Sequence, residues 1–149
     1  MTERRYVLVG LSPLTLGVAQ ALQQAEHQVV VLYAMPPTDD FLTRLPPGVE
    51  ISHCRSMQAA FQQHLEGCDC LLVLDVEDHA NLKLALLAHR ENPQVAVVMR
   101  IFDPTLAEAL QEGANIRRAY SLSSIAAPAF VAAILAEELL TALNLGGEL

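Results

Sequence analysis

The chain has 149 residues, a formal net charge of −8, and 52% hydrophobic against 17% charged residues. That length suits one domain spanning 1–149 with a sizeable core, and the composition excludes a disordered chain. Nine Lys and Arg against 17 Asp and Glu exclude nucleic acid and adhesion to an anionic membrane, which both need clustered cations. Arg4–Arg5 and Arg117–Arg118 are the basic pairs, and two residues do not make a patch. The first residues run directly into a short strand pattern instead of the long apolar region of a signal peptide. The longest uncharged apolar stretch, residues 125–136, is too short to span a bilayer. Three cysteines cannot all pair, so a reducing cytoplasm is the expected compartment.

Tyr6-Val-Leu-Val-Gly10 reads as a buried strand ending at glycine. Pro13 and Thr15 open a segment of helical composition that runs through Leu16 to Ala25, and Gln28-Val-Val-Val-Leu-Tyr33 is a second β-branched run. Strand, glycine turn, helix and strand make a βαβ unit with parallel strands. Residues 35–47 hold four of the eight prolines and read as loop, with a short helical turn around Asp40 to Leu45. Val49-Glu-Ile51 is a candidate third strand, and Ser56 caps a helix through Leu65 that Gly67 stops.

Cys70 to Leu74 is a further buried strand, followed by a helix from Glu77 or Asp78 to about Glu91. Gln94 to Met99 is a fifth apolar run, and Asp103-Pro104 starts a helix that ends at Gly113. A brief strand around Arg118 to Tyr120 and an Ala/Leu-rich helix over residues 125–143 complete the chain. Continuous apolar strands imply burial on both sheet faces. The expected architecture is α/β, a Rossmann-like doubly wound and mostly parallel sheet of about six strands with helices on both faces.

In such a sheet a ligand belongs at the carboxyl ends of the strands where the strand order reverses. The turn there, Gly10-Leu-Ser-Pro-Leu-Thr15, matches G-x-G-x-x-G at Gly10 and carries Ser12 and Thr15 at the second and third glycine positions. Serine adds a side chain where a pyrophosphate would approach, Thr15 would loosen helix-to-strand packing, and Pro13 removes one backbone N–H. Ser12 and Thr15 either contact phosphate or cap the first helix. The end of the second strand, Leu32-Tyr33-Ala34, lacks the acid that holds ribose hydroxyls. Asp39 and Asp40 would reach back only if the loop folded over, and no arginine stands close enough in sequence to suggest a 2′-phosphate.

The runs Tyr6–Gly10, Gly17-Val-Ala-Gln-Ala-Leu22 and His27-Gln-Val-Val-Val-Leu32 resemble the start of a TrkA-N domain. Asp75 with Asn81, Ala88-His-Arg-Glu-Asn-Pro93, Val98-Met-Arg-Ile-Phe-Asp-Pro104 and Leu110-Gln-Glu-Gly-Ala114 continue the likeness over nearly the whole chain. This is the unit that forms the N-terminal lobe of RCK domains, which regulate potassium channels and transporters. The resemblance implies a nucleotide-responsive regulatory domain that binds NAD(H) or an adenine nucleotide. It implies Gly10, Ser12 and Thr15 at the phosphate turn, Asp75 beside the ligand, and Arg100 within reach of phosphates. It further implies a homodimer or higher homo-oligomer acting on a membrane channel or transporter subunit, without inserting into the membrane itself. No pore or C-terminal lobe accompanies the unit, so it acts as a separate subunit or is a piece of a longer chain.

Two other readings stand beside this one. A ligand-free dimerisation module of the same fold accounts for the altered fingerprint, with the apolar last helix as its seam. A small NAD(P)-dependent oxidoreductase would need a substrate site and a proton donor, and no catalytic constellation is visible. Asp75 is alternatively a helix cap and Arg100 a surface arginine paired with an acid. Cys54, Cys68 and Cys70 lack zinc-ligand spacing and read as buried or half-buried thiols, not metal ligands.

Overall fold

The computed structural model describes residues 2–113, 116, 118–121 and 126–136. Six strands form one sheet: β1 (Arg5–Val9), β2 (Gln28–Tyr33), β3 (Glu50–His53), β4 (Cys70–Val73), β5 (Val97–Ile101) and β6 (Arg118–Ser121). Every described pairing is parallel, in the order β3-β2-β1-β4-β5-β6. The order turns around at β1, which lies between β2 and β4. That is the switch point of a doubly wound sheet.

Strand side chains alternate between two cores, one on each face. Leu8, Val29 and Val31 face α1 (Pro13–Gln24) and a 3₁₀ turn (Phe41–Arg44), packing with Ala19, Phe41 and Leu45. Val7, Val9, Val30 and Leu32 point the other way. They meet Phe61 of α2 (Met57–His64), Ala85 and Ala88 of α3 (Asp78–Glu91), and Ala107 of α4 (Pro104–Gly113). Alanines at these helix positions let α3 and α4 lie close to the sheet. The fold expected from strand composition is therefore the fold observed.

Local signals act as sequence reading expects at most boundaries. The Ser56 hydroxyl accepts from the Ala59 N–H and caps α2, and Asp103 Oδ1 accepts from the Thr105 N–H at 2.9 Å and caps α4. One strand begins later than expected. Gln94 and Val95 are held in a turn by Asn92, whose Oδ1 accepts from the Gln94 N–H and whose carbonyl accepts from the Val95 N–H, so β5 starts at Val97. The last helix is described over residues 126–136 (α5), and Leu139, Leu140 and Leu143 lie outside the described residues. On α5, Phe130, Val131, Ile134 and Leu135 are all more than half exposed.

The end of α1 carries a local conflict. Glu26 sits at φ 61° in the left-handed region, with its N–H on the Gln23 carbonyl and the His27 N–H on the Leu22 carbonyl. This is a Schellman closure, which glycine fills without a Cβ clash. Glu26→Gly should therefore stabilise the fold by about 0.5–1 kcal/mol, after the entropy glycine adds to the unfolded chain. A loss of stability in urea unfolding would contradict this.

Asn81, fully buried on α3, ties two strand ends together. Its Oδ1 accepts from the Asp75 N–H, and its Nδ2 donates to the carbonyls of Asp75 and Arg100, all at 2.9 Å. Replacing it with an apolar isostere removes the partner of the Asp75 N–H and one donor each from the Asp75 and Arg100 carbonyls, the former keeping only the Arg100 guanidinium. Asn81→Leu should cost about 3 kcal/mol or more, lowering the melting temperature by roughly 6–12 °C. A drop under about 1 kcal/mol in the same denaturation experiment would show that these bonds contribute little.

Candidate functional site

A cavity of about 710 Å³ opens at the carboxyl ends of β1, β2 and β4. Its size falls in the ~300–1,000 Å³ range of small-molecule sites. The turn after β1 forms the floor with Gly10, Leu11 and Pro13, and Asp75 adjoins it from the end of β4. One wall is the loop from Tyr33 through Asp39 to Arg44, and the opposite wall is Ala80, Lys83 and Leu84 of α3. The cavity therefore straddles the two faces of the sheet.

Gly10 is positioned by a close approach that only glycine permits. It adopts φ +102°, and a Cβ there would lie 2.8 Å from the Asp75 nitrogen and 2.9 Å from its Cα. Its N–H donates to the Leu32 carbonyl at 3.1 Å, which joins the turn to β2. Gly10 and Asp75 are thus brought together on the cavity floor. The Asp75 carboxylate is half-buried and accepts from the Val76 N–H through Oδ1. It does not cap α3, whose N-terminal residue, Asp78, instead accepts the Phe102 N–H at 2.8 and 2.9 Å.

Ser12 and Thr15 are arranged differently. Both are buried, and neither lines the cavity. The Ser12 hydroxyl donates to the Leu74 carbonyl at 2.7 Å and accepts from the Thr15 N–H. The Thr15 hydroxyl donates to the Gly10 carbonyl at 2.8 Å and accepts from the Ser12 N–H. The two form a reciprocal capping box on α1, with Pro13 at the first helical position. Thr15 is fully buried at the start of α1, its side chain accommodated there by the bond to the Gly10 carbonyl. Backbone N–H groups of Leu11 and Leu14 remain at the turn with no hydrogen bond to the described residues.

Arg100 also lies off the cavity lining. Its Nη1 donates to the Asp75 carbonyl at 3.0 Å, so it braces the floor from behind, and its buried Nε has no partner among the described residues. No acid among the described residues is paired with it.

Sequence reasoning missed Arg44 and Lys83 as cavity residues. Lys83 is the chain's single lysine, and its signal was the stripe Ala80, Lys83, Leu84 at helical spacing. Arg44 lies eleven positions after Tyr33, too far to be paired with β2 by inspection. Phe41 and Leu45, 6% and 7% exposed, anchor the 3₁₀ turn in the α1-side core and carry Arg44 back to the wall. The loop does fold over, and it brings an arginine as well as Asp39.

The cysteines are dispersed. Cys54 follows β3 at the carboxyl end of the sheet, whereas Cys68 and Cys70 stand at the amino end of β4. Burial pushes the Cys68 thiol up, away from thiolate character. Among the described residues no helix is long and apolar enough to cross a membrane.

Comparison with known proteins agrees with this architecture. The NAD(P)-binding domain of an exopolyphosphatase-related protein from Archaeoglobus fulgidus superposes with a TM-score of 0.73 at 19% identity, covering 87% of this chain and 96% of that one. The Kef C-terminal domain (CTD) of Shewanella denitrificans in its AMP-bound form gives 0.67 at 17% identity, covering 94% and 82%. The GsuK channel bound to NAD gives 0.63 at 19% identity, covering 83% of this chain and 22% of that one. At these identities the likeness is one of fold. No curated protein matches the chain. The family model of the TrkA-N domain matches residues 6–122, from within β1 to just past β6, and the chain belongs to the TrkA-N domain family.

Proposed function

We propose that this domain is a nucleotide-responsive regulatory module that controls a membrane potassium channel or transporter from the cytoplasmic side. The observation that carries the nucleotide part is the cavity at the switch point, where Gly10 clears the floor and Arg44 and Lys83 offer cations. In a chain of net charge −8, two exposed cations on one cavity, with no acid paired to either among the described residues, favour an anionic ligand. NAD(H) or an adenine nucleotide fits that chemistry, and structures of the same fold carry AMP and NAD. The regulatory part rests on the family and on the channel among its structural neighbours. A non-catalytic role is proposed because the cavity presents no nucleophile paired with a base.

Ligand contact at the turn would come from backbone groups, since the Ser12 and Thr15 hydroxyls already serve the fold. The Leu11 N–H in the turn before α1 would face phosphate, with Lys83 on the wall across from it. Titration with NAD(H), NADP(H), AMP, ADP and ATP tests this. A ligand at about a hundred times its dissociation constant should add roughly 2.7 kcal/mol, raising the melting temperature by several degrees. Lys83→Glu, at an exposed position, should weaken binding by about tenfold or more while leaving the unliganded melting temperature unchanged. Absence of any shift with all of these nucleotides would overturn the proposal.

A second reading, a dimerisation module without a ligand, is favoured by α5. Four large apolar side chains on one short helix, with Phe130 70% exposed, make a surface that a second copy would cover. The two readings are compatible if the dimer transmits the ligand signal. Phe130→Asp should then convert a dimer to a monomer in light scattering, and a wild-type chain that is monomeric at high concentration would remove the seam.

A further inference from the structure

The wall on the β2 side carries more specific information than the presence of a cavity. Where a strand beside the glycine turn ends in a doubly wound sheet, the adenosine ribose is held. An acid there takes the 2′-hydroxyl, and an arginine accommodates a 2′-phosphate. Here β2 ends on Tyr33 and Ala34, with no acid, and Arg44 lines the same wall. Asp39 is the acid on that wall, but its Oδ1 already accepts the Phe41 N–H at 3.0 Å, which holds the entry to the 3₁₀ turn. Tyr33 also lines the cavity, with His53 of β3 stacked beside it at 5.1 Å and 28°. His53 Nε2 is hydrogen-bonded to the Ala34 carbonyl at 3.1 Å, so the strand end is braced from its outer side.

We propose that this site selects a 2′-phosphorylated adenine dinucleotide, NADP(H), over NAD(H), with the Arg44 guanidinium on the 2′-phosphate. The inference rests on the nucleotide reading above and names the ligand class for the same cavity. A planar guanidinium pairs with a phosphate through two parallel N–H donors, a geometry that a ribose hydroxyl cannot match. The unphosphorylated ribose meets no carboxylate on β2 itself, and the one acid on this wall, Asp39, has one of its two oxygens committed to the Phe41 N–H. Arg44 is exposed and has no ion-pair partner among the described residues, so no existing contact must break when a phosphate arrives.

Calorimetric titration of the whole chain with NADPH and NADH, and with 2′,5′-ADP and 5′-AMP as minimal probes, tests the assignment. NADPH should bind about tenfold or more tightly than NADH, and 2′,5′-ADP should bind more tightly than 5′-AMP by a similar factor. Arg44→Ala should weaken NADPH by ~10- to 100-fold and leave NADH within about twofold. Arg44→Lys, which keeps the charge and loses the fork, should fall between them. Equal or tighter binding of NADH overturns the proposal and leaves the nucleotide reading intact, as does a preference that survives in Arg44→Ala. Loss of NADH binding in Asp39→Asn would assign the wall to a ribose hydroxyl instead, and would also overturn it. No binding of any of the four overturns this assignment, and the nucleotide reading falls with it only if ADP and ATP also fail to bind.

Discussion

The backbone of Leu74 and Asp75, just beyond β4, is the point on which the site is built. The Leu74 N–H donates to the Val9 carbonyl at 2.9 Å, and the Leu74 carbonyl takes the Ser12 hydroxyl. The Asp75 N–H and carbonyl are both held by Asn81, and the carbonyl also receives Arg100. Two residues are thereby tied to β1, to the cap of α1, to α3 and to β5. A buried backbone group must find a partner, and together these groups find theirs on β1, the cap of α1, α3 and β5. Gly10 then has to be glycine, because the strand end it faces cannot retreat.

This constraint explains why the altered fingerprint is coherent. A second and third glycine would leave room for a ligand but would leave the Leu74 carbonyl and the Gly10 carbonyl without the hydroxyls they now have. Ser12 and Thr15 instead use their side chains to lock the turn onto β4. The cap contributes stability on the order of 1 kcal/mol. It also directs both hydroxyls inward, so the cavity is left with backbone donors and with the side chains of its two walls. A ligand bound as proposed would be recognised mainly by the walls, where Arg44 and Lys83 stand.

The fold was legible because its signals are local. Apolar β-branched runs, Ser56 and Asp103 as caps, and glycine after the first strand each act within a few residues. Gly10 and Asp75 were legible for the same reason, since each ends a strand that could be recognised by composition. The fate of Ser12, Thr15 and Arg100 was not, because their partners are the carbonyls of Leu74, Gly10 and Asp75. Carbonyls have no signature in a sequence. Arg44 was obscured by a proline-rich loop whose path depends on Phe41 and Leu45 burying themselves against α1. The spacing of those two apolar residues was the visible clue, and it indicates anchoring without indicating which side chain faces the cavity.

The two cavity walls are held with unequal firmness. Lys83 stands on α3, two residues from Asn81, whose three hydrogen bonds fasten that helix to the ends of β4 and β5. Arg44 stands on a four-residue turn fixed by two apolar anchors and by the Asp39 carboxylate on the Phe41 N–H. A net charge of −8 acts on an approaching anion mainly within a Debye length of about 8 Å, so contacts inside the cavity decide binding. An anion that reaches both cations spans the sheet from its α3 face to its α1 face. The firm wall would keep its position, and the 3₁₀ turn would adjust to meet the ligand. Phe41 and Leu45 bury themselves in the core beneath α1, so any such adjustment of the turn would have to be met by that core.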